Sequence, residues 1–421
     1  MARRDIIAAL DIGSGSVKTV IAQIIPEEEK PRIIGVGFSP SLGVRRGMII
    51  DLEEAVSSIR ESLEKAKRSA GAEIDRAILS VGGNHISSQY SKGVIAVGRA
   101  DGEVTQEDVE RVIDASQAIS IPPNKEILHI IPKSYSLDDQ KDIKDPVGMN
   151  GVRLEVDALI IEGSTPYIKN LNKCSDQAGI DVQDVVLSPL SAAKATLSKR
   201  QKELGVALVD IGAGTTSIAV FEENELLHTA VIPLGGSHIT NDIAIGLRTS
   251  IDVAENVKIE FGHALSSEIG KKEDIDLSQI DPGEEGIVSR HHVAEIIEAR
   301  LEEIFGFVNK ELKSIARERL LPAGAVLTGG TSKLPGIVDL AKDSLGLPSQ
   351  VGFPIPLGGL IDKVDDPAFV TATGLILWQF EGLAQERLSG FSFGKKAARN
   401  LTGGINESME SVKKWLGKFL P

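Results

Sequence analysis

Residues 6–20 read IIAALDIGSGSVKTV and residues 206–220 read VALVDIGAGTTSIAV, and the pairing of these two stretches decides the fold. Each opens with an apolar run of strand length and ends that run on an aspartate, Asp11 or Asp210. Each then turns through two glycines and resumes as a second β-branched strand. Strand, tight turn and strand make a hairpin with its turn exposed. One copy lies near the start of the chain and one near its middle, so two related α/β domains are expected, each beginning with the same hairpin.

Composition narrows what surrounds these hairpins. A chain of 421 residues exceeds one ordinary core and predicts two or three packed units. Apolar residues at 42% and charged residues at 25% are the balance of a folded globular protein. A formal net charge of -14 repels phosphate backbones, so nucleic acid is not expected as a partner. The lone Cys174 excludes an internal disulfide framework. The opening MARRD leads into a short apolar run broken by Asp11, without the apolar region and cleavage site of a signal peptide. A cytoplasmic location is expected. No window reaches the roughly 18 uninterrupted apolar residues of a spanning helix, so any membrane contact is expected to be peripheral.

After the first hairpin, Val56, Ile59, Leu63 and Ala66 fall at helical spacing and predict a surface helix over 51–70, with Gly71 as left-handed C-cap. From residue 84 the strands shorten. One helix opens there on TQED (105–108), a capping box with Asp in the Glu place, and a strand over 152–161 closes the segment. The chain returns through a helix near 167–178 and the stretch 185–193. In the second half, IPLGG (232–236) ends a strand on a double glycine. Helical segments over 250–261 and 293–315 follow, separated by an acidic stretch around 273–285 that is expected to be mobile. AVLTGG (325–330) repeats the strand and glycine pair, and a helix over 367–380 precedes the tail. Boundaries follow: 1–83 and 164–202 for the first domain, 84–163 for an inserted subdomain, and 203–236 and 321–360 for the second-domain core. The rest divides into a helical subdomain at 237–320, a return helix at 361–387, a linker at 388–404 and a terminal helix at 405–421.

A nucleoside triphosphate needs backbone donors close to its phosphates and hard oxygens for a divalent ion. Gly13, Gly15, Gly212 and Gly214 leave room for that approach, and the Ser14, Thr215 and Thr216 hydroxyls are further donors. Lys18 adds positive charge. Asp11 and Asp210, each at a strand end, suit magnesium held through its water shell. A Walker A loop is absent, since Gly394-Lys395 lacks the following Ser or Thr. A dinucleotide fingerprint also fails, because neither hairpin has the third glycine and both run on into a strand.

The two hairpins, with LSAA (190–193), VLTGG (326–330) and DPAFVTATG (366–374) in that order, resemble the five signature segments of the actin, sugar-kinase and heat-shock chaperone superfamily. Within it, GVRLEVDAL (151–159), IPLGGSHITNDIAIGLRT (232–249) and EARLEEI (298–304) resemble the FtsA family of bacterial cell-division proteins, and the resemblance covers nearly the whole chain. It implies an actin-like duplicated two-domain fold with an inserted α+β subdomain in the first half. ATP and Mg are the implied cofactors. By this resemblance Asp11, Gly13, Ser14, Gly15 and Lys18 form a first phosphate loop, and Asp210, Gly212, Ala213, Gly214, Thr215 and Thr216 a second. Gly329, Gly330 and Thr331 border the adenosine, with Gly236 alongside, and Glu255 and Lys258 reach the ribose or adenine edge. Read from spacing alone, Glu255 and Lys258 are equally a surface i, i+3 ion pair. Ser188 aligns where vigorous actin-like ATPases carry a water-orienting carboxylate or glutamine. Slow turnover at most is therefore expected, with ATP mainly an assembly ligand.

The same resemblance implies self-association into filaments, contact with other division proteins, and binding of the C-terminal tail of FtsZ near Arg300; on spacing alone, Arg300 is a solvated helix charge. At the chain's end, Val412, Trp415, Leu416, Phe419 and Leu420 share a helical face beside Lys413, Lys414 and Lys418. Residues 395–421 hold six Lys or Arg against two Glu, a sign that anionic lipid attracts. The expected function is an ATP-binding tether of FtsZ filaments at the inner face of the cytoplasmic membrane, at the division septum. The alternative is a PilM-like cytoplasmic component of type IV pilus assembly. A metabolic sugar or acetate kinase would need an acceptor pocket and catalytic carboxylate that the sequence does not display. His291 and His292 point apart on a helix and are read as surface or capping residues, not metal ligands.

Overall fold

The computed structural model describes residues 6–25, 28–119, 121–284 and 286–388. Of the linker expected at 388–404, all but residue 388 lies outside the described residues, as does the terminal helix expected at 405–421, with Val412 to Leu420. Contacts divide the described residues into two compact units, one within 6–84 and 170–376 and the other within 85–169 and 377–388.

The first hairpin pairs β1 (Ile6–Ile12) antiparallel with β2 (Ser16–Gln23), and β3 (Arg32–Pro40) continues the meander. A miniature hairpin, β4 (Val44–Arg45) with β5 (Met48–Ile49), leads into α1 (Leu52–Ala70). That helix is bounded as its sequence demands. The Asp51 carboxylate accepts from the Glu54 amide at 3.0 Å, and Gly71 ends it at φ 61°. Its apolar stripe packs on β2 and β3, and β6 (Arg76–Val81) then lies parallel to β1.

The inserted module is a four-stranded antiparallel sheet. It comprises β7 (Ser87–Ala96), α2 (Gln106–Ala115), β8 (Lys125–Leu137), β9 (Gln140–Ile143) and β10 (Arg153–Ser164), with strand order β7-β10-β8-β9. The capping box at Thr105 and Asp108 forms, and Val109, Val112 and Ile113 of α2 are buried against the sheet.

The return runs through α3 (Thr165–Gln177), β11 (Asp181–Leu187), α4 (Ser188–Thr196) and α5 (Lys199–Leu204). The second hairpin, β12 (Val206–Ile211) with β13 (Thr216–Glu222), is continued by β14 (Glu225–Ile232). Then come α6 (Gly236–Leu247), α7 (Ile251–Phe261), β15 (Asp274–Asp276), β16 (Ile287–Ser289) and α8 (Arg290–Ser314). The lobe closes with β17 (Ala325–Thr328), α9 (Ile337–Leu345) and β18 (Ser349–Val351), while β19 (Gly358–Gly359) joins β3 and α10 (Val370–Leu388) follows.

Duplication is visible in the two sheets. The first runs β11-β6-β1-β2-β3-β19 and the second β18-β17-β12-β13-β14, so each hairpin has the same parallel strand on the same side. The second lobe's core sets Val209, Ile211 and Ile218 of the sheet against Ile239, Ile243, Ile297, Leu301 and Phe305 of α6 and α8. Each such fully buried side chain contributes about 1.5–3 kcal/mol relative to exposure.

Three expectations change. The acidic stretch near 273–285 is built into the lobe: β15 pairs with β16, and Ile275 and Leu277 are buried, because two apolar residues at i and i+2 inside the acidic run turn inward. The helix expected over 367–380 starts later, after a 3-10 turn at Pro367–Phe369 in which the Asp366 carboxylate accepts from the Ala368 amide, and it runs on to Leu388. Of the surface or capping roles expected for His291 and His292, the cap of α8 falls instead to Ser289, while His292 is exposed beside Glu295 and His291 meets the Ser266 carbonyl.

Candidate functional site

Both glycine turns span four residues and close alike. The Gly13 amide donates to the Ser16 carbonyl at 3.1 Å, and the Gly212 amide to the Thr215 carbonyl at 2.9 Å. Each turn leaves its sheet beside the aspartate that ends the strand, and the two turns meet. A Cβ built on Gly15 would lie 2.7 Å from the Ala213 Cβ, and one built on Gly214 would lie 2.7 Å from the Ser14 Oγ. Only glycine permits this approach. Where the turns converge there is a cavity of about 180 Å³ lined by Asp11, Gly13, Ser14, Gly15, Lys18, Asp210, Gly212, Ala213, Gly214, Thr215, Gly329 and Gly330, among others.

The two carboxylates differ in their company. Asp11 faces Lys18 across the ladder, with 3.4 Å between Oδ2 and Nζ, and accepts a 2.7 Å hydrogen bond from the Ser80 hydroxyl. Asp210 faces Ser217 across its own ladder and Thr328 on its parallel side. Burial pushes the Asp210 carboxyl up to about 6, and the nearby charge of Asp11 adds to that push; Lys18 and the Thr371 and Thr328 hydroxyls oppose it. Asp210 is packed round closely by protein, yet solvent still reaches it through the cavity. A second cation near this pair would relieve the repulsion. Among the described residues no group of three or more His, Cys, Asp or Glu could hold a metal directly, so the donors on offer are these two carboxylates, the arrangement a water-shelled magnesium ion accepts. The enclosed space is below the ~300–1,000 Å³ of pockets that engulf a whole drug-sized ligand, and so it suits the phosphate end of a nucleotide.

Other residues singled out in the sequence lie outside the cavity lining. Thr216 is fully buried, its hydroxyl donating to the Leu234 carbonyl at 2.9 Å. Gly236 and Thr331 sit behind the second turn, where the Gly236 amide and the Thr331 hydroxyl both donate to the Gly212 carbonyl. Glu255 and Lys258 pair at 2.6 Å with unequal depth: the Glu255 side chain is partly exposed, while Lys258 is 9% exposed and also donates to the Thr240 hydroxyl and the Gly236 carbonyl. They thus brace the segment that backs the second turn. Arg300, elsewhere on α8, is already engaged by Asp242 at 2.6 and 2.9 Å and by Glu303. These partners hold its guanidinium firmly charged.

The cavity also recruits Gly47, Gly82, Gly83, Ser217, Ala368 and Thr371, which sequence reasoning did not assign to it. Ser188, aligned in the sequence with the water-orienting position, lines it too, its hydroxyl donating to the Val81 carbonyl at 2.9 Å. The Ser-Val-Gly-Gly run at 80–83 was a legible signal, a strand ending in a glycine pair as at 328–330. Gly47 carried none beyond its being a glycine.

Comparison with known proteins follows the same lines. The family described as Cell division protein FtsA matches residues 207–374, and the SHS2 domain inserted in FTSA matches residues 83–162. The chain is 37% identical to the cell division protein FtsA of Pseudomonas aeruginosa over 418 residues, covering 98% of each. Against that of Bacillus subtilis it is 41% identical over 402 residues, covering 95% of this chain and 90% of the other. For that of Escherichia coli the figures are 32% over 423 residues, with 99% and 98% covered. In structure it is similar to a chain of the PilM-PilN type IV pilus biogenesis complex, with TM-score 0.64, 18% identity and 88% and 97% of the two chains covered. It is also similar to MreB5 of Spiroplasma citri, solved bound to ADP, with TM-score 0.52, 14% identity and 92% and 99% covered. These structural likenesses bear out the actin-like fold with its insertion.

Proposed function

The chain belongs to the FtsA family of cell division proteins, and from that premise we propose that it binds ATP with magnesium between its two lobes and tethers FtsZ filaments to the inner face of the cytoplasmic membrane. The observation that most supports the nucleotide is the contact of the two glycine turns beside Asp11 and Asp210. Backbone amides of both turns and the Ser14 and Thr215 hydroxyls cradle the phosphates, and Lys18 balances part of their charge. Asp11 and Asp210 would hold the waters around the ion, which when bound would supply positive charge against the phosphate oxygens.

Turnover is slow in this reading. Ser188 lines the cavity but spends its hydrogen on the Val81 carbonyl and is a poor group for activating water. The nucleotide instead closes the lobes on each other and favours self-association into filaments. FtsZ's tail docks on the helical part of the second lobe near Arg300, where an acidic peptide must compete with Asp242 and Glu303 for the guanidinium. No described helix is long and apolar enough to cross a membrane. The basic amphipathic segment at 405–421, with Trp415 and Phe419, is the proposed anchor on anionic lipid, at the septum with other division proteins. A pilus role has only the shared fold in its favour, while the sequence similarity runs to division proteins.

Reconstitution tests this. The full chain is mixed with ATP and magnesium, anionic vesicles and an FtsZ tail peptide, and each component is omitted in turn. Peptide should be recovered on sedimented vesicles only when the protein is present, and Trp415→Glu should leave the protein in the supernatant with nucleotide affinity intact. Equal sedimentation of the Trp415→Glu protein would discredit the anchor.

A further inference from the structure

The miniature hairpin of β4 and β5 turns through Arg46 and Gly47, at φ 51° and 74°. Two positive φ values make the hairpin turn that Asn-Gly or Gly-Gly would adopt readily. An arginine at the first position is held against its backbone preference, which costs about 1–3 kcal/mol and persists only where the surroundings dictate it. Here the surroundings do dictate it. The Gly47 amide donates to the Ser14 hydroxyl at 2.8 Å, so the tip is hooked to the first glycine turn. A Cβ on Gly47 would come 2.7 Å from the Gly83 Cα, and a Cβ on Gly214 would come 3.0 Å from the Arg46 amide. The tip is therefore wedged among three glycine-rich backbones that border one cavity, and Gly47 lines that cavity.

Charge supplies the second argument. Among the described residues that line the cavity Lys18 is the one cation, and it is committed to Asp11. Against it stand two carboxylates, to which a triphosphate would add several more negative charges. Arg46 is exposed, and among the described residues it has no carboxylate partner. Its positive charge is felt by His238, at the start of α6 in the second lobe, and helps to depress that imidazole after burial has done most of it.

We propose that the Arg46–Gly47 turn is a third arm of the phosphate site, its guanidinium taking the terminal phosphate of a nucleoside triphosphate and so discriminating triphosphate from diphosphate. The inference deepens the nucleotide reading and rests on it. The Gly47 link to Ser14 and the Arg46 approach to Gly214 make this arm sense both turns at once, and the arm responds to the phosphate that a diphosphate lacks.

The test compares ATP and ADP affinities, with magnesium, for the full chain and for Arg46→Gly. Glycine adopts the turn without strain, so this variant keeps the tip and should not lose thermal stability. Removing a charge-assisted contact predicts about a ten- to hundredfold loss for ATP, with ADP affinity unchanged. Equal losses for both ligands, or no loss for either, overturn the inference while leaving the nucleotide reading intact. Absence of any binding by the unaltered chain overturns both. Arg45→Ala, on the neighbouring ladder position, should leave the ATP to ADP ratio unaltered; if it reproduces the loss, Arg46 is the wrong residue.

Discussion

The first and second hairpins share a loop length, a closing hydrogen bond and a parallel neighbour on the same side, yet their aspartates live in different electrostatic settings. Across the ladder, Asp11 meets Lys18 where Asp210 meets Ser217. On the parallel side, Ser80 donates its hydroxyl to Asp11 in the first sheet, and Thr328 lies opposite Asp210 in the second. One lysine therefore serves two carboxylates, and it serves its own more fully. The duplicated backbone builds a symmetric cradle, and a single cross-strand difference leaves one carboxylate satisfied and the other in need of a cation.

The strongest way to break the symmetric half of that comparison is to crowd the turns. Gly15→Val and Gly214→Val each push side-chain atoms into the facing turn, and each should abolish measurable ATP affinity in titration calorimetry, with overpacking costing about 1–3 kcal/mol of stability. If either variant binds as before, the turns do not act as a pair.

The asymmetric half predicts opposite signs for one substitution made twice. Asp11→Asn strands the buried Lys18 without its carboxylate and should destabilise the nucleotide-free chain by about 3 kcal/mol. Asp210→Asn removes a carboxylate that burial and Asp11 disfavour, and should raise the nucleotide-free denaturation midpoint at pH 8 by an amount corresponding to about 3 kcal/mol. Shifts of the same sign in both would erase the distinction.

A pH series sharpens it further. Asp210 titrates near 6 in the folded chain against about 3.9 when exposed, so the folded state holds an extra proton between those values. Its contribution to stability is fully present below about pH 4, falls as pH rises through 6, and is flat beyond. The stability difference between the unaltered chain and Asp210→Asn should follow that curve without nucleotide; a difference that stays level from pH 4 to 8 would contradict it. The smallest effect belongs to Ser80→Ala, which takes one hydrogen bond from Asp11 and should cost about 1.5 kcal/mol in denaturant unfolding, with no change in the pH curve.

Much of this was legible in the sequence, for a physical reason. Buried parallel strands need continuous apolar runs, and tight turns need glycine, so the two hairpins, α1 with its Asp51 and Gly71 caps, and the Thr105 capping box all announce themselves locally. Long-range geometry does not. Nothing in the string ASP–ILE–GLY at 210–212 tells that its carboxylate would be raised while its twin at 11–13 would be compensated, until the ladder register sets Ser217 and Lys18 opposite them. Thr216 was expected beside Thr215 as a phosphate donor, but strand alternation turns its hydroxyl to the Leu234 carbonyl. For Lys258, expected by resemblance at the ribose or adenine edge, spacing alone left a surface ion pair equally open, because helical spacing gives a pair but not its depth. Arg46 was silent, since a left-handed arginine is visible only once the backbone is known.

The central claim is that two matched turns grip one magnesium nucleotide. Titrating the full chain with ATP, once with magnesium and once with excess chelator, tests it most directly. Saturable one-to-one binding that weakens by at least about tenfold without the ion is the predicted result; no saturable binding, or binding indifferent to the ion, would contradict it.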